Sequence, residues 1–479
     1  MPGQLKTKPG RTGMSNGYAT RIALVATLGG LLFGYDTAVI SGAIGALEAN
    51  FIAPQGLSET ARNSLTGFTV SSALIGCILG GIVAGWVADH WGRRRGLIVA
   101  AVLFLICSIG SAYPELGLGV SGPDALTPFN IYRVIGGIGV GIASMLSPLY
   151  IAEVAPREKR GQLVSYNQMA IVLGIFGVYF VNYAIARGGD QTWLYSHGWR
   201  YMFLSEAVPS LAFLVFLFSV PETPRYLVMK GKEADAKALL ERIEGSTAPV
   251  VLQEIRGSLV QHSDKLLSYG WFVVIAGILL SVFQQTVGIN AVLYYAPLMF
   301  QNMGMQGDTA FLQTAIVGAF NVLFTIVAIF TVDKWGRRPL MVWGAALMAV
   351  SMLALGFMFA SNALGPAALV VVIAYIAGFA FSWGPVTWVL LSEMFPNAIK
   401  GKAMGIAVAA QWIANLIVSW SFKVLDGNSA LNALFNHGFC YWMYGVISIL
   451  AGLFVWKYVP ETKGRSLEEM ERLWTAKSV

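Results

Sequence analysis

Apolar runs of about 20 to 25 residues begin near Ile22, Leu65, Leu97, Phe129, Leu163, Tyr201, Trp271, Phe311, Leu340, Ala367, Ala403 and Phe439. At about 1.5 Å per residue each run makes a helix able to cross a hydrocarbon core of about 30 Å, so the pattern predicts an all-α membrane protein of twelve spans. The alternating positions of a membrane barrel strand are absent. A polar, basic stretch precedes a first run too long for a signal-peptide core, which predicts an uncleaved first helix. A helix over residues 22–47 would place Asp36, in FGYDTAVISG, near mid-depth, where a charge costs at least about 2.5 kcal/mol.

Composition agrees with a polytopic membrane chain: 56% of residues are hydrophobic and 12% charged, against about 25% charged in soluble domains. Twelve spans put both termini on one side. Of 32 Lys and Arg, only Arg62, Arg187, Arg200 and Lys423 fall on the other side, with Arg133 inside a span. The positive-inside rule then predicts cytoplasmic termini. The net charge of +7 reads as topology and contact with membrane lipid headgroups; basic residues scattered over many loops exclude a nucleic-acid partner. Cys77, Cys107 and Cys440 all sit in apolar runs and imply no disulfide framework.

The chain repeats itself. ADHWGRR (88–94) matches VDKWGRR (332–338), YIAEVAPREKRG (150–161) parallels LLSEMFPNAIKG (390–401), and VPETPR (220–225) parallels VPETKG (459–464). Near-constant offsets predict two pseudo-symmetric six-helix halves, 21–220 and 269–458, between tails 1–20 and 459–479 and joined by a linker of amphipathic helices at 221–268. Each repeated motif combines acids with clustered bases at a cytoplasmic helix end. Asp89 with Arg93 and Arg94, Glu153 with Arg157 and Arg160, Asp333 with Arg337 and Arg338, and Glu393 with Lys400 are expected to pair between the halves as a cytoplasmic gate, with Glu222 and Arg225 of the PET motif in the same set.

Polar residues inside the spans are the candidate chemistry: Asp36, Arg133, Gln168 and Glu206 in the first half, and Gln284, Gln285, Asn290, Gln411 and Asn415 in the second, near Trp388 and Trp412. Amides donate and accept without charge, and indoles offer flat apolar faces, which together suit a neutral hydroxyl-rich ligand such as a monosaccharide. Three amides around Gly288 in QQTVGIN predict an irregular helix lining a cavity. Pro385 predicts a bend in its helix. GGIGVG (136–141) lacks the dinucleotide-binding spacing and reads as close helix packing. A lone amide in a span also serves as interhelical glue, which is an equal reading for Asn415, and Trp442 and Trp456 read as interfacial.

The motifs DHWGRRR, PETPR, QQTVGIN, DKWGRRP and PETKGR resemble, in combination and over residues 20–470, the sugar porters of the major facilitator superfamily. FGYDTAVISG, YRVIGGIGVGIASMLSPLYIAE and AAQWIAN are most similar to the bacterial proton-coupled D-xylose symporters. That resemblance implies a sugar pocket of Gln168, Gln284, Gln285, Asn290, Tyr294, Trp388, Gln411 and Trp412, and a proton-coupling role for Asp36, Arg133 and Glu206. It implies D-xylose import by alternating access, with protons as the second substrate, no cofactor or metal, and a monomer as the working unit. Thr223 stands where the family often has Ser, and His90 where Arg is common, which puts a weakly charged group in the gate motif. A facilitative sugar uniporter and a membrane sugar receptor are the alternatives; uniporters of this family usually carry a neutral residue at the Asp36 position, and such receptors have longer tails. No nucleophile triad, metal-ligand set or phosphate loop points to an enzyme.

Overall fold

The computed structural model describes residues 12–156, 159–260, 266–305, 308–396 and 399–463. Twelve helices are long and apolar enough to cross a membrane: α1 Gly17–Gly42, α2 Glu59–His90, α3 Arg93–Ala112, α4 Gly122–Val154, α5 Gln162–Ala186, α6 Gln191–Leu217, α7 Trp271–Tyr294, α8 Asp308–Val332, α9 Arg337–Ala360, α10 Pro366–Met394, α11 Lys400–Asp426 and α12 Gly438–Tyr458. Three linker helices, Pro224–Met229, Glu233–Glu244 and Ala248–Val260, lie between α6 and α7. They bury a small core of their own, which includes Val228, Ala236, Leu240, Ala248 and Leu252.

Glycines let the backbones of neighbouring spans touch. A Cβ at Gly137 of α4 would stand 1.8 Å from the Ala73 carbonyl oxygen of α2, and one at Gly76 would stand 2.0 Å from the Val134 oxygen. The GGIGVG run is therefore a helix-packing surface, as expected. Gly34 of α1 approaches the Ile171 oxygen of α5 in the same way.

The first span sits lower in the sequence than expected. Its α-helix covers Thr12–Val39 and gives way to a tight turn at Ile40–Gly42, after which helical turns continue through Ile44–Leu47 and Glu48–Ile52, so Asp36 lies within one turn of a change in helix geometry. The break occurs where α5 and α6 crowd Gly42: a Cβ there would meet Asn182 Nδ2 at 2.5 Å and Met202 Sδ at 2.7 Å.

Spans α1–α6 and α7–α12 form the two halves, which meet along α2 against α11 and α5 against α8. Bonds between the halves gather at the face away from the chain ends. Asn63 Nδ2 donates to the Gly427 carbonyl at 2.7 Å, the Ser429 N–H donates to Glu59 at 2.7 Å, and Lys423 pairs with Glu48 at 3.4 Å. Deeper in, the Tyr179 hydroxyl donates to the Leu293 carbonyl at 2.5 Å. We call this the far face, and the opposite one the terminal face.

A histidine braces the far face of the second half. His437 Nδ1 lies 3.0 Å from Asp426 Oδ1, and Asn302 and Asn432 donate to the same residue. The hydrogen bond to Asp426 raises the His437 imidazole above its ordinary 6.5, against the opposing effect of partial burial. A raised value in the folded chain gives stabilisation that is complete below about 6.5 and fades as pH climbs through the folded value. The melting temperature in detergent should therefore fall from about pH 6 to about pH 8, by a contribution of about 1 kcal/mol or less. His437→Asn should flatten that fall; an equally steep fall in the variant would place the pH sensitivity elsewhere.

Candidate functional site

Four helices of the first half converge on one charged cluster. Asp36 of α1 and Arg133 of α4 are both wholly buried. Arg133 Nη1 donates to Asp36 Oδ1 at 2.6 Å, and Nη2 donates to the Asp36 backbone oxygen at 2.8 Å. Cys107 of α3 lies 3.5 Å from the same Oδ1. Glu206 of α6 is also wholly buried, and neither of its carboxyl oxygens has a hydrogen-bond partner among the described residues. Oxygen atoms of Asp36 and Glu206 and the Cys107 sulfur lie within 4.8 Å of one another. Arg133 Nη1 touches both Asp36 and Cys107, and the guanidinium stands 5.6 Å from the centroid of the Phe203 ring.

The chemistry of this cluster follows from its burial. An ion pair removed from water needs both partners, since loss of one leaves an uncompensated charge at a cost of about 3 to 5 kcal/mol. Guanidinium does not give up its proton in proteins. Only the carboxyls, and in principle the thiol, can titrate, so proton uptake at Asp36 is the event that would break the pair. The Tyr35 hydroxyl and Ser205 Oγ, 2.8 Å apart, tie α1 to α6 beside it.

The amides of the second half form a connected chain. Span α7 breaks at Val287–Gly288, between helical segments Trp271–Thr286 and Ile289–Tyr294. Gly288 has φ of +95°, and a Cβ there would lie 2.5 Å from the Tyr444 ring, so the position needs glycine for both conformation and space. The break brings Asn290 back onto Gln285, with Asn290 Nδ2 donating to Gln285 Oε1 at 2.5 Å. Gln285 Nε2 donates to Gln284 Oε1 at 3.2 Å, and Gln284 Nε2 donates to the Trp383 carbonyl at 2.9 Å. That carbonyl belongs to a wide turn, Phe379–Trp383, that interrupts α10 just before Pro385.

Asn415 Nδ2 donates to the Tyr294 hydroxyl at 3.4 Å, and Asn415 Oδ1 accepts from Ser419 Oγ at 3.0 Å. Gln411 is buried, with its Oε1 unpartnered among the described residues. Trp412 packs against Phe33 of the other half with ring centroids 5.4 Å apart. Gln168 and Trp388 are half-buried. Among the described residues, no hydrogen bond joins Gln168 to the chain of amides.

The repeated motifs at the terminal face pair differently from expectation. Among the described residues, each of these pairs closes within one half. Arg93 Nη2 donates to Glu153 at 2.9 Å, and Thr223 Oγ1 donates to the other Glu153 oxygen at 2.6 Å. Glu222 accepts from the backbone N–H groups of Arg93 and Arg94 at 3.1 to 3.2 Å, capping the start of α3. In the second half Arg337 Nη2 donates to Glu393 at 2.9 Å, Thr462 Oγ1 donates to Glu393 at 2.5 Å, and Glu461 accepts from the Arg337 and Arg338 N–H groups at 3.0 Å. Gly92 and Gly336 make these caps possible, with φ of +98° and +89° and no Cβ to strike the capping carboxylate. Burial pushes the Glu222 carboxyl above its ordinary 4.5, while the N–H donors of Thr223, Arg94 and Arg93 pull it down again.

Other members of the expected gate take other roles. Arg94 and Arg338 donate to main-chain carbonyls, Leu217 and Trp456 respectively. Asp89 is exposed and only 3.8 Å from Arg93. His90 stacks on Trp86 with ring centroids 4.6 Å apart, away from the Arg93–Glu153 pair, so its weak charge does not touch that pair. Arg225 lies on the first linker helix. Arg157 and the side chains of Arg160 and Asp333 fall outside the described residues. Sequence reasoning missed Glu461 and Thr462, whose repeat partners Glu222 and Thr223 were the available signal, and Cys107, for which there was none.

With this geometry in hand, the comparisons with known proteins are direct. The family model described as sugar (and other) transporter matches residues 22–474. The D-xylose-proton symporter of Escherichia coli strain K12 is 56% identical over 477 residues, covering 97% of each chain. The glucose facilitated diffusion protein of Zymomonas mobilis is 47% identical over 465 residues, covering 96% of this chain and 98% of its own. Among solved structures, the inward open conformation of the xylose transporter XylE from E. coli has a TM-score of 0.87 at 54% identity, covering 95% of this chain and 100% of that one. The same transporter bound to 6-bromo-6-deoxy-D-glucose has a TM-score of 0.82 at 55% identity, covering 96% and 99%. Shared motifs, twelve spans in two halves and this level of identity agree: the chain belongs to the sugar transporter family of the major facilitator superfamily, a family of membrane carriers and not of enzymes.

Proposed function

We propose that this chain is a proton-coupled D-xylose symporter of a cell inner membrane, with both termini cytoplasmic, and that it binds D-glucose while moving it poorly or not at all. The buried Asp36–Arg133 pair carries the reading, because a titratable acid locked to a permanent cation is a proton-operated latch. The asymmetry of Lys and Arg supports the orientation, which makes the terminal face cytoplasmic and the far face external.

Sugar sits between the halves, held by Gln168, Gln284, Gln285, Asn290, Tyr294, Gln411, Trp388 and Trp412. Bonds gathered at the far face make the described state inward-facing. A proton entering from outside neutralises Asp36 and releases Arg133, and the loaded carrier turns inward, with Glu206 tuning or relaying the proton. Units 21–220 and 269–458 move about the site while the 221–268 linker spans them. The working unit in this reading is the monomer, surrounded by lipid.

Counterflow of labelled xylose and glucose in proteoliposomes, with and without an imposed pH gradient, tests the assignment. Xylose should exchange in both conditions and accumulate only with the gradient, while glucose should compete without accumulating. Glucose accumulation with xylose inert would overturn the substrate assignment.

The charge clusters act, in this reading, as the cytoplasmic gate by keeping the ends of α3, α4, α9 and α10 in register so that the two halves can seal. Arg93→Ala combined with Arg337→Ala should bias the carrier inward-open, raising maleimide labelling of a cysteine introduced on the cytoplasmic side by about tenfold. The native cysteines are buried, so their background labelling is low. Unchanged labelling would reduce the clusters to fold maintenance.

A further inference from the structure

Asp36 Oδ1 receives two side-chain groups, Arg133 Nη1 at 2.6 Å and Cys107 Sγ at 3.5 Å, while Oδ2 has no partner among the described residues. The thiol is wholly buried. It also lies 3.6 Å from Arg133 Nη1 and 3.6 Å from Ser111 Oγ. Its place is kept open by Gly136 of α4, where a Cβ would stand 2.4 Å from the sulfur and 3.3 Å from Asp36 Oδ1. Helix α3 otherwise contributes no side chain to the charged cluster. The polar and charged groups facing the thiol are Asp36 from α1, Arg133 from α4, Glu206 from α6 and Ser111 of its own helix.

We propose that Cys107 is a positioning residue of the proton site, its thiol holding the Asp36 carboxylate as a second hydrogen-bond donor beside Arg133. This rests on the reading of Asp36 as the coupling acid. A thiol is both a weak donor and a weak acceptor. While Asp36 is charged, S–H points at Oδ1. Once Asp36 gains a proton and lets Arg133 go, the sulfur can accept from either of them, so α3 stays engaged through both states. A donor aimed at a carboxylate favours its charged form, and its removal makes protonation easier.

The test is the dependence of uphill xylose uptake on external pH, at fixed membrane potential, in proteoliposomes of wild type, Cys107→Ala and Cys107→Ser. Cys107→Ala should move the midpoint up by about half a pH unit, about a threefold gain in proton affinity. Cys107→Ser keeps a donor, and its midpoint should sit at or below that of the wild type. Xylose affinity in equilibrium exchange should be unchanged in both, because neither touches the sugar pocket. An alanine midpoint equal to or below that of the wild type overturns the proposal. Should the alanine variant fail to fold, a serine midpoint above the wild type overturns it instead. Failure of the underlying reading looks different: Asp36→Asn would then retain uphill uptake whatever the cysteine variants do.

Discussion

Asp36→Asn should abolish accumulation of xylose against its gradient while leaving xylose binding and exchange between equal concentrations intact. Amide and carboxyl are nearly isosteric, and the asparagine Oδ1 can still accept from Arg133 Nη1, now 2.6 Å away. What the amide lacks is a proton to release, so the latch has one state. The same change leaves Arg133, wholly buried, without its paired carboxylate, which costs up to about 3 to 5 kcal/mol when nothing compensates. The backbone bond from Nη2 to the Asp36 oxygen at 2.8 Å survives the substitution and offsets part of that cost. A melting curve with and without xylose therefore accompanies the transport assay. Uphill uptake by a folded Asp36→Asn variant, driven only by a proton gradient, would remove Asp36 from the coupling step.

The second large effect is expected in the sugar pocket. Gln285 links its neighbours, donating to Gln284 at 3.2 Å and accepting from Asn290 at 2.5 Å. Gln285→Ala removes a ligand contact and also unties both amides beside it. Gln168 makes no hydrogen bond to that chain among the described residues, so Gln168→Ala should lose only the contact proposed for it with the sugar. At about 1 to 3 kcal/mol per buried hydrogen bond, each variant should bind xylose about tenfold to about a hundredfold more weakly, with Gln285→Ala toward the larger value. Calorimetric titration of the purified variants measures this, and near-normal binding by both would place the sugar elsewhere.

How far these residues could be read from sequence depends on the kind of interaction. Spans were readable because hydrocarbon demands about 20 apolar residues each, and the halves were readable because three motifs recur. Asp36 and Arg133 announced themselves as isolated charges in apolar runs, and in such a setting each has few partners to choose from. The terminal clusters were different. The sequence set Arg93 with Asp89 and Glu153 with Arg157 and Arg160, whereas Arg93 reaches Glu153 because the Thr223 turn returns to the start of α3, a tertiary fact with no local signal. The bounds of the first helix were less legible: hydropathy alone allowed residues 22–47, but the α-helix begins earlier, at Thr12, and changes geometry where Gly42 is squeezed by α5 and α6. Cys107 was invisible because a thiol in an apolar run is ordinarily a small hydrophobe. The far-face pair of Glu48 and Lys423, at 3.4 Å, joins residues hundreds of positions apart and depends on which way the carrier is open.

Relatives with names as different as proton symporter and facilitated diffusion protein make proton movement the decisive observable. In lightly buffered proteoliposomes held at equal pH on both sides, xylose added outside should draw protons inward, so that the external medium turns alkaline in step with sugar entry. The alkalinisation should disappear in Asp36→Asn while labelled xylose still exchanges. Xylose entry at the wild-type rate with no change in external pH would contradict proton coupling and make this chain a uniporter.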